Sequence, residues 1–319
     1  MEIGIPHVGH LPMIKRDTLI ELLGILPEKV SPDVAVLDEV DCGSYWRKTI
    51  EYTVELDERI RAFLCVPKGH AGQVPAVYCF HQHGGNRLLG KSELVGLSGD
   101  QDQAYASELA ERGFVTLAPD AICFEERCKD TESPDYAHVH ELHVRLIRGQ
   151  TLLGKVLHDI SVGIDLLQDI AEVDSDRIGF IGHSYGGRTA LFAPVFDPRI
   201  SVSVCSCGST NYRDMPGIQF DFVVPGIMRY GDIEDVVRLV EPASLLILGG
   251  IQDDRWSIGI EEMVQYAGPS FIDGVLEFGL YPCGHRFSKD MRERAYAFLR
   301  DQSMRHDDQQ VGAADAADL

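Results

Sequence analysis

Apolar positions change their period along this chain, and the changes divide it into elements. Leu11, Ile14, Leu19, Leu22, Leu23 and Leu26 recur at helical spacing, which predicts an amphipathic helix over 11–26. The alternating stretches Trp46–Glu55 and Arg59–Val66, joined by Asp57-Glu58, predict an antiparallel hairpin. Val74–Phe80 is apolar throughout, as an interior strand is. Further short apolar runs at Phe114–Ala118, Arg177–Ile181, Arg199–Cys205, Ser244–Leu248 and Val275–Phe278 read as strands. Between them, 102–112, 136–148, Gln150–Ile170 and Phe287–Arg300 carry helical periodicity. A leading hairpin followed by alternating strands and helices predicts an α/β fold. Its central sheet is mostly parallel, with helices on both faces.

Two segments break this rhythm. Residues 208–242 are rich in Gly, Pro, Tyr and Phe and sit between two expected sheet strands, so they predict a small cap-like insertion. Residues 303–319 are polar and Ala/Asp-rich, so they predict a disordered tail. The expected organisation is an N-terminal helical extension at 1–44, an α/β domain at 45–302 and the tail.

Composition narrows the function classes. The chain has 319 residues, 45% of them hydrophobic, and a net charge of −21. That charge, with no basic stretch, argues against nucleic acid and anionic membrane surfaces as partners. No apolar run reaches membrane-spanning length, and the first residues lack a basic, apolar signal pattern. Eight cysteines scattered among strand-like runs read as buried thiols in a reducing cytoplasm. A homo-oligomer is compatible with all of this.

The chemistry centres on Gly182-His183-Ser184-Tyr185-Gly186, which lies between an expected strand and an expected helix. A serine on a sharp strand-to-helix turn, with glycine two places to either side, is a nucleophile elbow. A serine hydroxyl needs a base to take its proton, and the base needs a carboxylate to orient it. His285, in a Gly-containing loop after the last strand, is the expected base. The acid belongs to Gly250-Ile251-Gln252-Asp253-Asp254, after the strand that ends near Leu248; Asp253 is favoured over Asp254 because it falls three residues past a turn glycine. The amide of Tyr185 is one expected oxyanion donor.

In elbow, acid turn and histidine loop, taken in that order, the chain resembles the α/β-hydrolases, and among them the dienelactone-hydrolase-like and acetyl-xylan-esterase-like carboxylesterases. The resemblance runs from about residue 45 to residue 300. It implies a serine esterase acting on a small-molecule ester through an acyl-enzyme, with no cofactor. It also implies a second oxyanion donor in the loop His81 to Gly85, at the backbone amide of His83 with Gln82 or Gly84 beside it. Dienelactone hydrolase itself uses cysteine as nucleophile, whereas this chain has Ser184, which favours ordinary ester hydrolysis. The same triad could instead cut a thioester, a lactone or a C–C bond. A catalytically dead fold used for binding is the non-enzymatic alternative, and the intact set of Ser184, Asp253 and His285 weighs against it.

Other residues invite weaker readings. His81-x-His83, and His138-x-His140 with His143, begin metal-like patterns that no carboxylate and histidine complete, so no metal site is expected. Arg127, beside Glu125 and Glu126, could bind a substrate carboxylate at the pocket rim or pair with a glutamate. Phe220, Phe222, Met228 and Tyr230 could line an acyl or alcohol pocket or form cap core; Phe222 and Tyr230 are the candidate pocket residues.

Overall fold

The computed structural model describes the backbone of residues 13–317 and the side chains of residues 13–304. Among the described residues nine strands form one sheet: β1 (Val34–Asp41), β2 (Tyr45–Glu55), β3 (Glu58–Pro67), β4 (Val74–Phe80), β5 (Val115–Pro119), β6 (Val173–His183), β7 (Ile200–Ser206), β8 (Ser244–Gly250) and β9 (Leu276–Tyr281). Their spatial order is β1-β2-β3-β5-β4-β6-β7-β8-β9. The first three strands and β5 pair antiparallel, and β5 through β9 pair parallel. This is the mixed, mostly parallel α/β sheet that the apolar runs predict. The parallel strands are buried along their centres because helices cover both faces. The helices of the described residues are, in chain order, α1 (Arg16–Leu22), α2 (Lys91–Leu94), α3 (Tyr105–Glu111), α4 (Pro134–Ile147), α5 (Leu152–Gln168), α6 (Tyr185–Phe196), α7 (Ile233–Arg238), α8 (Ile260–Ala267) and α9 (Lys289–Ala317). On one face α5 and α6 pack together. On the other, α3 (Tyr105–Glu111) and α9 (Lys289–Ala317) are joined by Arg112–Glu293 and Arg292–Glu108 ion pairs. Thr151 caps α5, its Oγ1 accepting the Gly154 N–H at 2.9 Å.

Several boundaries differ from the sequence expectation. The first helix, α1 (Arg16–Leu22), is shorter than 11–26, and Leu11 lies outside the described residues. Ile14, Leu19 and Leu23 are nonetheless buried, as the spacing predicts. Residues 34–41, expected within a helical extension, form the edge strand β1. Both its faces are largely exposed, so no hydrophobic period marks it; it forms because β2 offers a free edge, and the pairing shifts register between Val36 and Asp38. The stretch expected as a disordered tail carries helix as far as Ala317. Among the described residues no helix is long and apolar enough to cross a membrane.

The 208–242 segment is irregular, with two single 3₁₀ turns, Phe220–Phe222 and Ile227–Arg229, and the short helix α7 (Ile233–Arg238). Asp232 caps α7 in a reciprocal pair with Asp235.

Backbone approach sets the middle of the sheet. A Cβ on Gly187 would stand 2.2 Å from the Ser206 carbonyl oxygen of β7. Gly187→Ala therefore destabilises the fold by about 3 kcal/mol or more, because the clash is with backbone and cannot be relieved by a rotamer. Gly268→Ala is the control: its φ is helical and nothing lies within 4 Å of the added carbon. Urea denaturation should separate the two, and equal stabilities would refute this account of the α6 packing.

Candidate active site

The elbow begins in steric exclusion. A Cβ on Gly182 would lie 2.3 Å from the Gly186 carbonyl carbon, and one on Gly186 would lie 2.1 Å from the Phe80 carbonyl oxygen. Strand β6, helix α6 and the end of β4 thus meet backbone to backbone. The turn between them forces Ser184 to φ 57°, ψ −107°, a conformation that a non-glycine residue holds at a cost of about 1–3 kcal/mol. Ser184 N–H donates to the Ser206 carbonyl at 2.8 Å, which holds the strained residue in place. Tyr185 is the first residue of α6, where an amide has no partner within its own helix.

The acid turn and the histidine loop are stitched together beyond the ends of β8 and β9. Ile251 N–H donates to Tyr281 O and Gln252 N–H to Cys283 O, at 2.8 and 3.0 Å. Gly250 must be glycine because a Cβ there would meet Gly284 O at 2.2 Å. Asp253 and His285 then face each other, with Asp253 Oδ2 2.9 Å from His285 Nδ1. His285 Nε2 is 2.8 Å from Ser184 Oγ. Asp254, one residue on, is exposed. The structure therefore brings Ser184, His285 and Asp253 into one hydrogen-bonded chain, and leaves Asp254 outside it.

Asp253 is buried, which on its own would raise its carboxyl pKa. The hydrogen bond and charge of His285 oppose this, with help from the Trp256 amide and the Ser257 hydroxyl, and together they hold it at about 2. Asp253 is thus a fixed anion at neutral pH. Below His285 lies His183, buried, its Nδ1 3.0 Å from Ser206 Oγ and its ring 4.9 Å from the His285 ring. Burial pushes its pKa far down, so it stays neutral.

Sequence reasoning did not single out Ser257, Trp256, His183 or Arg188 as parts of this site. Trp256 sits 6.1 Å from the His285 ring and 6.1 Å from Phe222. The Arg188 guanidinium, fully buried, lies 5.4–5.9 Å from the rings of Tyr212, Phe222 and Trp256 and bonds the Thr210 carbonyl. Ser257, four residues past Asp253, carried the only available hint, since a hydroxyl there can reach back to the carboxylate.

The loop after β4 holds the proposed second donor. His83 Nδ1 accepts the Gly85 N–H at 3.0 Å, its ring lies 5.4 Å from Phe124, and burial, followed by the Arg87 charge, lowers its pKa. Its own backbone N–H has no hydrogen-bond acceptor among the described residues. The loop is braced from the next one: Glu125 accepts from Gly90 N, Ser92 N and Ser92 Oγ, and Lys91 Nζ bonds Asp120 and Glu125 at 2.7 and 2.9 Å.

The pocket candidates divide. Phe222 is buried, 5.2 Å from the Tyr185 ring, and lines an apolar cavity of about 310 Å³ with Tyr212, Ile218, Val224 and Met228. Ser184, Asp253 and His285 do not line that cavity. Tyr230 is not part of it: its carbonyl accepts the Ile14 N–H and its ring lies under Arg229, so it ties down the chain at Ile14. Phe220 is exposed. Arg127 is not at a pocket rim either. It is buried and pairs with Glu58 at 2.8 Å and Asp159 at 2.9 Å, not with its neighbours Glu125 and Glu126. Lys155 joins the same cluster through Glu55, Glu58 and Asp159, and so occupies the one carboxylate grouping with metal-like spacing, among the described residues, that is separate from the triad. The other such grouping, Cys207, Asp253 and His285, shares two residues with the chain above. Neither includes His81, His83, His138, His140 or His143. His138 instead lies 3.0 Å from Asp221.

The sequence model of the dienelactone hydrolase family matches residues 60–216. YtaP of Bacillus subtilis (strain 168) is 29% identical over 246 residues, which span 75% of this chain and 80% of YtaP. Among solved structures, the glucuronoyl esterase from Solibacter usitatus is similar with a TM-score of 0.66 at 14% identity, covering 90% of this chain and 91% of its own. Acetyl Xylan Esterase 1 from Thermoanaerobacterium sp. JW/SL YS485 is similar with a TM-score of 0.55 at 16% identity, covering 91% and 99%. Their likeness to this chain is one of fold.

The placement of Arg127 predicts a variant phenotype. Arg127→Met leaves Asp159 and Glu58 with less compensation and should cost about 3–5 kcal/mol of stability. The KM for an ester substrate should stay within about threefold of the wild-type value, since the guanidinium is 7% exposed. A selective rise in KM without loss of stability would return Arg127 to the substrate pocket.

Proposed function

The chain shares the fold of α/β-hydrolase esterases and is similar to the dienelactone hydrolase family over residues 60–216, and on that footing we propose that it hydrolyses carboxylic esters of small molecules through an acyl-enzyme on Ser184. One observation carries the reading: the unbroken chain from Asp253 through His285 to Ser184, with both links under 3 Å and the serine held on a strained elbow. Ser184 Oγ attacks the ester carbonyl while His285 Nε2 takes its proton. The charge on the carbonyl oxygen is held by the amides of Tyr185 and His83. The intermediate collapses, the alcohol leaves with the proton from His285, and a water activated by the same nitrogen releases the acid. Asp253 keeps the proton of His285 on Nδ1 and stabilises the imidazolium.

Structural neighbours that are an acetyl xylan esterase and a glucuronoyl esterase support ester chemistry. A cytoplasmic setting belongs to the same proposal, and the eight unpaired cysteines fit a reducing compartment.

Asp253→Asn and Asp254→Asn test the assignment on a panel of chromogenic esters of graded acyl length. Asp253→Asn should stay folded and lose roughly 10⁴ in kcat, because His285 is free to take the wrong tautomer. Asp254→Asn should remain within about twofold of wild type, as a surface change does. The reverse result would move the acid role by one residue, and equal partial losses would remove it from this turn.

A further inference from the structure

His81 carries no role in the mechanism above, yet both of its ring nitrogens are committed. It is fully buried at the end of β4, between Phe80 and Phe124, whose rings lie 5.4 and 4.8 Å away. Ala121 N–H, from the loop after β5, donates to His81 Nε2 at 3.0 Å. Nε2 is therefore unprotonated, and the ring proton is on Nδ1. Nδ1 lies 2.7 Å from the carbonyl oxygen of Gln82, the next residue in the chain, and donates to it. Burial drops the pKa of His81 to about 4, so this single neutral tautomer holds across the working pH range.

That carbonyl belongs to the peptide joining Gln82 to His83. A trans peptide is planar, with its C=O and N–H pointing in opposite directions. Fixing the carbonyl of Gln82 therefore fixes the N–H of His83. Among the described residues no other hydrogen bond is made to that carbonyl; the Asn86 N–H bond to the His83 carbonyl and the Gly85 N–H bond to His83 Nδ1 hold the residues after it. Gly84 and Gly85, next in sequence, stand at φ 57° and 69° and resist a peptide flip least of all residues. The Gln82 side chain is drawn away to Glu93, 3.0 Å distant. The loop lies against the elbow, since the Phe80 and His81 carbonyl oxygens are 2.1 and 3.1 Å from where a Gly186 Cβ would stand.

We infer that His81 is a positioning residue for the oxyanion hole: its Nδ1–H holds the Gln82 carbonyl and thereby aims the His83 amide at the developing charge. This rests on the ester-hydrolase reading above. It assigns the two ring nitrogens different tasks. Nδ1 orients the donor, and Nε2 ties the loop to the neighbouring strand end.

Two variants separate the tasks. In His81→Asn the side-chain NH₂ takes the place of Nδ1 and can still donate to Gln82, while the link to Ala121 is lost. In His81→Gln the amide reaches the position of Nε2 and can accept from Ala121, while the donor to Gln82 is lost. Each loses one buried hydrogen bond, so thermal melts should fall alike. Kinetics should not. His81→Asn should keep kcat within about tenfold of wild type, whereas His81→Gln should lose on the order of 10², as removal of an oxyanion donor does, with KM within about threefold in both. Affinity for a boronic acid should fall with kcat in His81→Gln only. Equal kcat values in the two variants, high or low, would overturn the inference. Long-range ¹⁵N correlation spectra of the wild-type protein provide a check that needs no variant: His81 should be neutral with its proton on Nδ1, and a proton on Nε2 would refute the assignment. Ser184→Ala separates the two readings. If it is inactive while the His81 variants match each other, only the role of His81 fails; if it is fully active, the ester-hydrolase reading itself fails.

Discussion

Everything at this site depends on backbone meeting backbone at the elbow. Strand β6 ends and helix α6 begins with no room for a Cβ at Gly182, Gly186 or Gly187, because the Gly186 backbone, the Phe80 carbonyl and the Ser206 carbonyl fill those spaces. That closeness holds Ser184 at a positive φ, raises its hydroxyl above the sheet and puts the first free amide of α6 beside it. The strain is a local cost of about 1–3 kcal/mol, which the buried core of the nine-stranded sheet offsets.

The same device recurs on the other side of the site. Gly250 passes against the Cys283 and Gly284 carbonyls, so the acid turn and the histidine loop register as an extension of the β8–β9 ladder. Asp253 then saturates its carboxylate with the Trp256 amide, the Ser257 hydroxyl and His285. Three loops from three strand ends are fixed by hydrogen bonds that do not involve the reacting atoms. Such a site is organised before substrate arrives, which is the condition for electrostatic stabilisation of a developing charge.

Much of this was legible in the residues because its causes are local. The apolar runs 74–80 and 244–248 announce buried strands, and Gly182, Ser184 and Gly186 announce the turn between them. What was not legible depends on distant pairing. Arg127 finds Glu58, 69 positions away, and no pattern around Glu125-Glu126-Arg127 distinguishes that partner from its neighbours. β1 forms because β2 has a free edge, and its exposed faces leave no hydrophobic period to read. Phe222 and Tyr230 have the same aromatic character in sequence, yet one packs on Tyr185 and the other ties down the chain near Ile14.

The central claim is that Ser184 is the nucleophile, and covalent labelling tests it most directly. The protein is treated with a fluorophosphonate, its intact mass is taken and its peptides are mapped. The account predicts a single adduct on the peptide holding Gly182 to Arg188, at Ser184, with activity lost in proportion to labelling. An adduct elsewhere, or complete labelling of Ser184 with activity retained, would contradict it.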